Sequence, residues 1–182
     1  MRRPNIISIY RHFYTFGDMT LDKFSSWLGQ LDKRAVQVQD PAAVEDFISQ
    51  LKAKKGAVLI ASHFGNVEAM RAFATLNIGI TINGITYTRH AEQFNRLLRE
   101  INPAESLNLI QVKDINMNTA IMLKDKIQEG EVLVVTGDRG VDDRDSVKVP
   151  FLGEAAPFPQ GPFIIASLLD CPVYFLFCSK NK

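Results

Sequence analysis

The sequence predicts a single α/β domain: a mostly parallel mixed sheet flanked by helices, with N-terminal helices packed beside it. Three observations carry that expectation. Two short apolar runs, 57–61 and 132–136, read as strands buried on both faces. The segments between such runs repeat apolar residues at helical spacing. The chain has 182 residues and is 46% hydrophobic, which suits one domain with a real core. Residues 1–55 form a helical N-terminal part and 56–182 the α/β core.

Residues 1–35 carry a heavy apolar and aromatic load, including Ile6, Ile9, Tyr10, Phe13, Phe16, Phe24 and Trp27, interleaved with Arg2, Arg3, Arg11 and Lys23. The spacing fits one or two helices broken near Gly17, with Asp18 or Thr20 capping the second. Either this is a helical pair packed on the core, the reading favoured by its few basic residues, or it is an amphipathic segment that lies on a membrane or covers an acyl chain. The two are compatible, because the outer face of a packed helix can still touch lipid.

Asp40-Pro41 opens the next helix, with Pro41 suited to its first turn and Val44, Phe47, Ile48 and Leu51 as its apolar stripe. Lys52, Lys54 and Lys55 follow where cations suit the helix dipole. Gly56 then starts the central strand, which stops at Ser62-His63. A turn at Phe64-Gly65 leads to Asn66, a good N-cap, and to a helix with Val67, Met70, Phe73 and Ala74 on one face and Glu68 in its first turn.

Residues 78–88 read as a second strand, interrupted at Asn83-Gly84. Arg89-His90 and a helix over 91–101 follow, then a short strand over 107–112. Residues 116–128 read as a helix closed by Gly130, and 132–136 as a buried strand ending in Gly137-Asp138-Arg139-Gly140. Residues 140–160 read as a charged loop in which 147–151 form a short strand, followed by a helix over 161–169 and a final strand over 172–178.

Two strand ends therefore carry polar clusters, one at His63 and one at Asp138-Arg139. In a parallel sheet both lie on one rim, the carboxyl edge where open α/β sheets bind ligands. A histidine and a carboxylate bent round a tight turn, as His63 and Glu68 are, make the general-base half of a catalytic triad without its nucleophile. The nucleophile is then a hydroxyl on the substrate.

The net charge of +1 gives no case for nucleic acid. Cys171 and Cys178 sit in apolar surroundings and read as buried reduced thiols. The N-terminus lacks a secretory h-region, and no stretch approaches the roughly 18 apolar residues that span a bilayer. His12 and His90 have no ligand-spaced partners, so no metal is expected; metal, nucleotide and serine-hydrolase signatures are absent from the sequence.

His63-Phe-Gly-Asn-Val-Glu68 resembles the H-x4-D/E motif of the lysophospholipid acyltransferase superfamily, in the HFGN-x-E form of its bacterial lipid A biosynthesis (lauroyl/myristoyl) acyltransferase branch. Three further stretches fit that branch in order. They are Tyr87-Thr88-Arg89 with Phe94-Asn95, Thr136-Gly137-Asp138-Arg139-Gly140, and Val149-Pro150-Phe151-Leu152-Gly153 with 156–162. The resemblance runs from about Tyr10 to Phe177.

It implies an acyltransferase that moves a fatty acyl group from an acyl carrier protein or coenzyme A thioester to a lipid-like or sugar-linked hydroxyl or amine, directly and without an acyl-enzyme. His63 is then the general base and Glu68 its partner. Gly65 and Asn66 shape a helix start whose free N–H groups face an anion or oxyanion, or simply form a tight turn. Arg89 and Arg139 are candidate phosphate contacts, with a surface arginine the alternative for Arg89. Asp138 fixes the loop by hydrogen bonds, or forms a structural ion pair with Arg139. The 150–162 stretch shapes an acyl tunnel or site wall, with Phe151, Phe158 and Phe163 read as core.

No cofactor beyond the donor is implied. Family members commonly carry an N-terminal membrane anchor and continue past the last residue of this chain. The expectation is therefore a C-terminally truncated form, with a cytoplasmic location and peripheral contact on the inner face of the membrane. A hydrolase using the same pair, and a non-catalytic lipid-binding domain, are the alternatives.

Overall fold

A computed structural model of the chain describes residues 5–28, 30, 37–66, 81–86, 96, 100, 108–112, 116–140 and 145–179. Among them the order is α1 (Ile6–Trp27), α2 (Pro41–Lys52), β1 (Ala57–Gly65), β2 (Ile82–Thr86), β3 (Asn108–Gln111), α3 (Met117–Gln128), β4 (Val132–Thr136), β5 (Ser146–Phe151), β6 (Glu154–Pro159), α4 (Gly161–Leu169) and β7 (Val173–Cys178). Five strands form one sheet in the order β3-β2-β4-β1-β7. Every described pairing in it is parallel. β5 and β6 pair antiparallel as a separate ribbon. This is the α/β class that the sequence predicts.

The apolar runs explain the sheet's centre. β1 is buried from Ala57 to Ala61, and β4 pairs with it from Ala57↔Val132 to Ala61↔Thr136. Strands buried on both faces need apolar residues at odd and even positions alike. Val58, Ile60, Leu133 and Val135 point to one face, where Leu123 and Ile127 of α3 and Ile165 and Leu169 of α4 close the core. Ala57, Leu59 and Ala61 are buried on the other face. There α2 covers the sheet edge: the Phe47 ring meets the Tyr174 ring edge-on at 5.1 Å, and the Tyr174 hydroxyl donates to Asp46. Each large aliphatic side chain fully buried in this way contributes about 1.5–3 kcal/mol.

Three helix starts are capped by side chains. Asp40 accepts from the Ala43 N–H and Asn116 from the Thr119 N–H. Asn5 does the same for Ser8 at the start of α1.

The N-terminal part departs from the favoured reading. α1 is one helix that passes through Gly17 without a break. A glycine inside a helix costs about 1 kcal/mol, which the other residues of a long helix offset. Thr20 does not cap; its hydroxyl donates back to the Phe16 carbonyl. Nor do the apolar residues of the first half of α1 pack on the core. Ile6, Tyr10, Phe13, Tyr14 and Phe16 are all exposed, and burial rises only in the second half, to Ser26. No described helix is long and apolar enough to cross a membrane.

Four other expectations are corrected. β2 runs straight through Asn83-Gly84. Asn83 is fully buried, and its amide donates to Glu131 and to the Val132 carbonyl, so the dipeptide is held in the sheet and does not turn. Within 140–160 the short strand expected over 147–151 is present as β5, while Glu154–Pro159, expected as loop, pairs with it as β6. Phe151 and Phe163 are exposed rather than core. Cys171 and Cys178 are free thiols, each only partly buried. The helix expected after Asn66, with Glu68 in it, and Arg89 with the strand end before it lie outside the described residues. Of the helix expected over 91–101, Arg96 and Glu100 are described, and both are helical.

Candidate active site

The site grows from the register of β1 and β4. Ala57 pairs with Val132 and Ala61 with Thr136, and the same register carried two residues past the end of β4 brings His63 opposite Asp138. Side chains in a strand alternate faces, and the two polar residues therefore emerge side by side at the rim. They meet. The His63 backbone N–H donates to Asp138 Oδ2 at 2.9 Å, and His63 Nδ1 lies 3.0 Å from Asp138 Oδ1. Both carboxylate oxygens thus hold one histidine.

An ionised carboxylate only accepts, so the proton of a neutral imidazole sits on Nδ1 and Nε2 keeps its lone pair. Partial burial pushes the Asp138 carboxyl upward. The side-chain and backbone hydrogen bonds from His63 and the imidazole's charge outweigh this and hold it below its ordinary value. The pair is open to solvent, with side-chain exposures of 40% for His63 and 25% for Asp138.

The turn after His63 is anchored on the last strand. Gly65 has φ +79°, a region that favours glycine, and a β-carbon there would fall 1.5 Å from the Cys178 carbonyl oxygen. The Asn66 N–H donates to that same oxygen at 3.0 Å. The β1–β7 register shifts between Ala61 and Gly65 to allow it. On the other side the Gly137 N–H donates to the Ala61 carbonyl at 2.8 Å, which ties the end of β4 to β1. Cys178 itself is a poor nucleophile. Burial raises its thiol, and Asp22 of α1 adds to that against a hydrogen bond from Asn66.

His63, Gly65, Asn66, Asp138 and Arg139 thus gather at one edge, as the parallel-sheet expectation requires. Arg139 follows Asp138 directly and is exposed. Glu68 and Arg89 lie outside the described residues. The Asn66 N–H is engaged with Cys178 and is not available to an oxyanion. The residues that follow it lie outside the described set.

The contact that the sequence reading missed is His63 with Asp138; Asp138 was assigned only to its own loop. A signal was present. The segments 57–63 and 132–138 have the same plan: a five-residue strand that is apolar except for Thr136, one small residue, and then His or Asp.

Fold and rim define a single-domain α/β enzyme whose polar groups stand at the carboxyl ends of two neighbouring parallel strands. A family model of bacterial lipid A biosynthesis acyltransferases matches residues 12–182. The chain belongs to that family, and it is an acyltransferase of lipid biosynthesis whose substrates are an acyl donor and a lipid acceptor. Comparison with curated proteins gives no match.

Proposed function

We propose that His63 is the general base of the acyl transfer and that Asp138 holds and charges it. The observation that carries this reading is the two-point grip of the Asp138 carboxylate on His63. With Nδ1 protonated, Nε2 takes the proton from the acceptor hydroxyl or amine as that atom attacks the thioester carbonyl of the donor. The imidazolium formed lies against the Asp138 carboxylate. The tetrahedral intermediate collapses, the carbon–sulfur bond breaks, and the leaving thiolate takes the proton back from His63. No acyl-enzyme forms. Glu68 adds a second carboxylate five residues along the chain from His63, as the H-x4-E motif implies.

Arg139, exposed beside the pair, supports the contact with phosphate on either substrate, and Arg89 is its second candidate. The donor is an acyl carrier protein or coenzyme A thioester, and the acceptor a lipid or lipid-linked sugar. Contact with the membrane is peripheral, at its cytoplasmic face, through the apolar first half of α1.

The test is release of free thiol from both donor types, with membrane lipid extract as acceptor, for wild type and His63→Ala. Release that requires the extract and disappears in the variant supports transfer. Equal release from both proteins removes His63 as the base. Release of free fatty acid without acceptor makes water the nucleophile and the protein a hydrolase.

A further inference from the structure

Gly137 stands between Thr136, the last residue of β4, and Asp138. Its N–H donates to the Ala61 carbonyl at 2.8 Å, so the chain leaves β4 pressed against β1. Its α-carbon has no room for a substituent. A β-carbon there would stand 2.8 Å from Cγ2 of Ile60, whereas the next neighbours, the Phe163 ring and the Ala61 carbonyl oxygen, lie at 3.9 and 4.0 Å. One methyl group therefore sets the limit. Gly137 does not share the positive φ of Gly65, Gly130 and Gly153. Space, and not backbone conformation, requires glycine at this position.

Ile60 cannot yield. It is 4% exposed and belongs to the core cluster with Val58, Leu133, Val135 and Ile165. A β-branched side chain is stiff at χ1, and a packed interior leaves it nowhere to go. Two carbons reach their optimal separation at about 3.5 Å, so a methyl group on residue 137 would move the backbone by about 0.7 Å. The next residue is Asp138, whose oxygens lie 2.9 and 3.0 Å from the His63 backbone nitrogen and Nδ1. Lengthened by that amount, both contacts pass about 3.6 Å and are no longer hydrogen bonds.

We propose that Gly137 is a positioning residue of the acyl transfer: by taking no space beside Ile60, it lets Asp138 come close enough to hold His63 at two points. Gly137 touches no substrate and acts through Asp138. The fit of one core methyl group against a bare α-carbon thereby decides which nitrogen of the imidazole carries the proton. The consequence for the rate rests on the general-base reading above; the consequence for the His63 ring does not.

The experiment compares the full chain with Gly137→Ala, Ile60→Leu and the double variant. Leucine keeps the volume of isoleucine and lacks the branch methyl. Each protein is read in two ways: by kcat and KM for thiol release, and by the ring-nitrogen chemical shifts of His63 in NMR at about pH 8, where an ordinary imidazole is neutral. The His63 signal is the one that His63→Ala lacks. Wild type shows the Nδ1–H form. Gly137→Ala shows mainly the Nε2–H form and loses about 10²-fold in kcat, the cost of a misplacement of this order, with KM for donor within about twofold. Ile60→Leu behaves as wild type. The double variant regains the Nδ1–H form and at least about tenfold of the lost rate, because the two sites are coupled. The Nε2–H form in wild type, a Gly137→Ala protein with His63 still in the Nδ1–H form, or a double variant no better than Gly137→Ala overturns the proposal. If Gly137→Ala does not fold, the double variant carries the test. Its Nδ1–H form then supports the proposal, whereas the Nε2–H form, or failure of that protein to fold as well, overturns it. A Gly137→Ala protein with the tautomer changed and the rate unchanged leaves the positioning of His63 standing and refutes the general-base reading.

Discussion

Replacing Asp138 by asparagine separates its chemical role from its structural one. The asparagine carbonyl oxygen can still accept from the His63 backbone N–H, the 2.9 Å bond of the wild type. Its NH2 group then faces Nδ1 across the present 3.0 Å contact. Two donors cannot share that contact, so the neutral ring moves its proton to Nε2 and the base is lost. The stability cost is small. The pair is partly exposed to solvent, and pairs near the surface contribute about 1 kcal/mol or less. The catalytic cost is large, because positioned general-base catalysis is worth on the order of 10²–10⁴-fold. Water can reach this imidazole and partly restore the reactive tautomer, so about 10²-fold is expected. The assay is initial-rate thiol release at saturating donor and acceptor, with melting temperatures measured in parallel. Asp138→Asn should lose rate with its melting temperature nearly intact and with KM for donor little changed. Activity within about threefold of wild type, alongside a dead His63→Ala protein, would refute the assignment and leave Glu68 as the partner of His63.

Further outcomes follow from the same geometry. Gly65→Ala meets both an unfavourable φ and the Cys178 carbonyl, and should lose at least about 3 kcal/mol of stability, read by denaturant unfolding. Leu133→Ala empties a fully buried position at the centre of the sheet and should cost about 2–5 kcal/mol, with catalysis per folded molecule preserved. The Asp138 carboxyl is held below its unfolded value, so its contribution to stability is complete above about pH 4 and disappears as pH falls through the lower folded value. Wild type should therefore show a steeper loss of melting temperature below pH 4 than Asp138→Asn, and equal slopes would contradict the pairing.

Much of this architecture was legible because burial on both faces leaves a plain mark. The runs at 57–61 and 132–136 can only be interior strands, and they place His63 and Asp138 on one rim. Their contact was not drawn from the sequence because it depends on register, which hydrogen bonding between strands sets. Gly17 misled because a glycine weakens a helix without ending it. Asn83-Gly84 reads as a turn by local preference, yet the buried amide finds Glu131 and the Val132 carbonyl and stays in the sheet. In the 140–160 segment the alternation of Val147, Val149 and Phe151 marked β5, whereas Pro157 and Pro159 concealed β6. The exposure of Phe151 and Phe163 could not be foreseen, since an apolar residue in sequence does not say whether it faces the core or the solvent.

The bond between Asn66 and the Cys178 carbonyl has a consequence for how the enzyme comes into being. The turn that follows His63 takes its shape from a strand lying more than a hundred residues later in the chain. During synthesis, the histidine emerges from the ribosome long before the residue that anchors its turn. A nascent chain can pair β1 with β4 once residues 132–138 are free, but the rim remains incomplete until β7 is released. The turn beside His63 is thus set only once β7 has paired with β1.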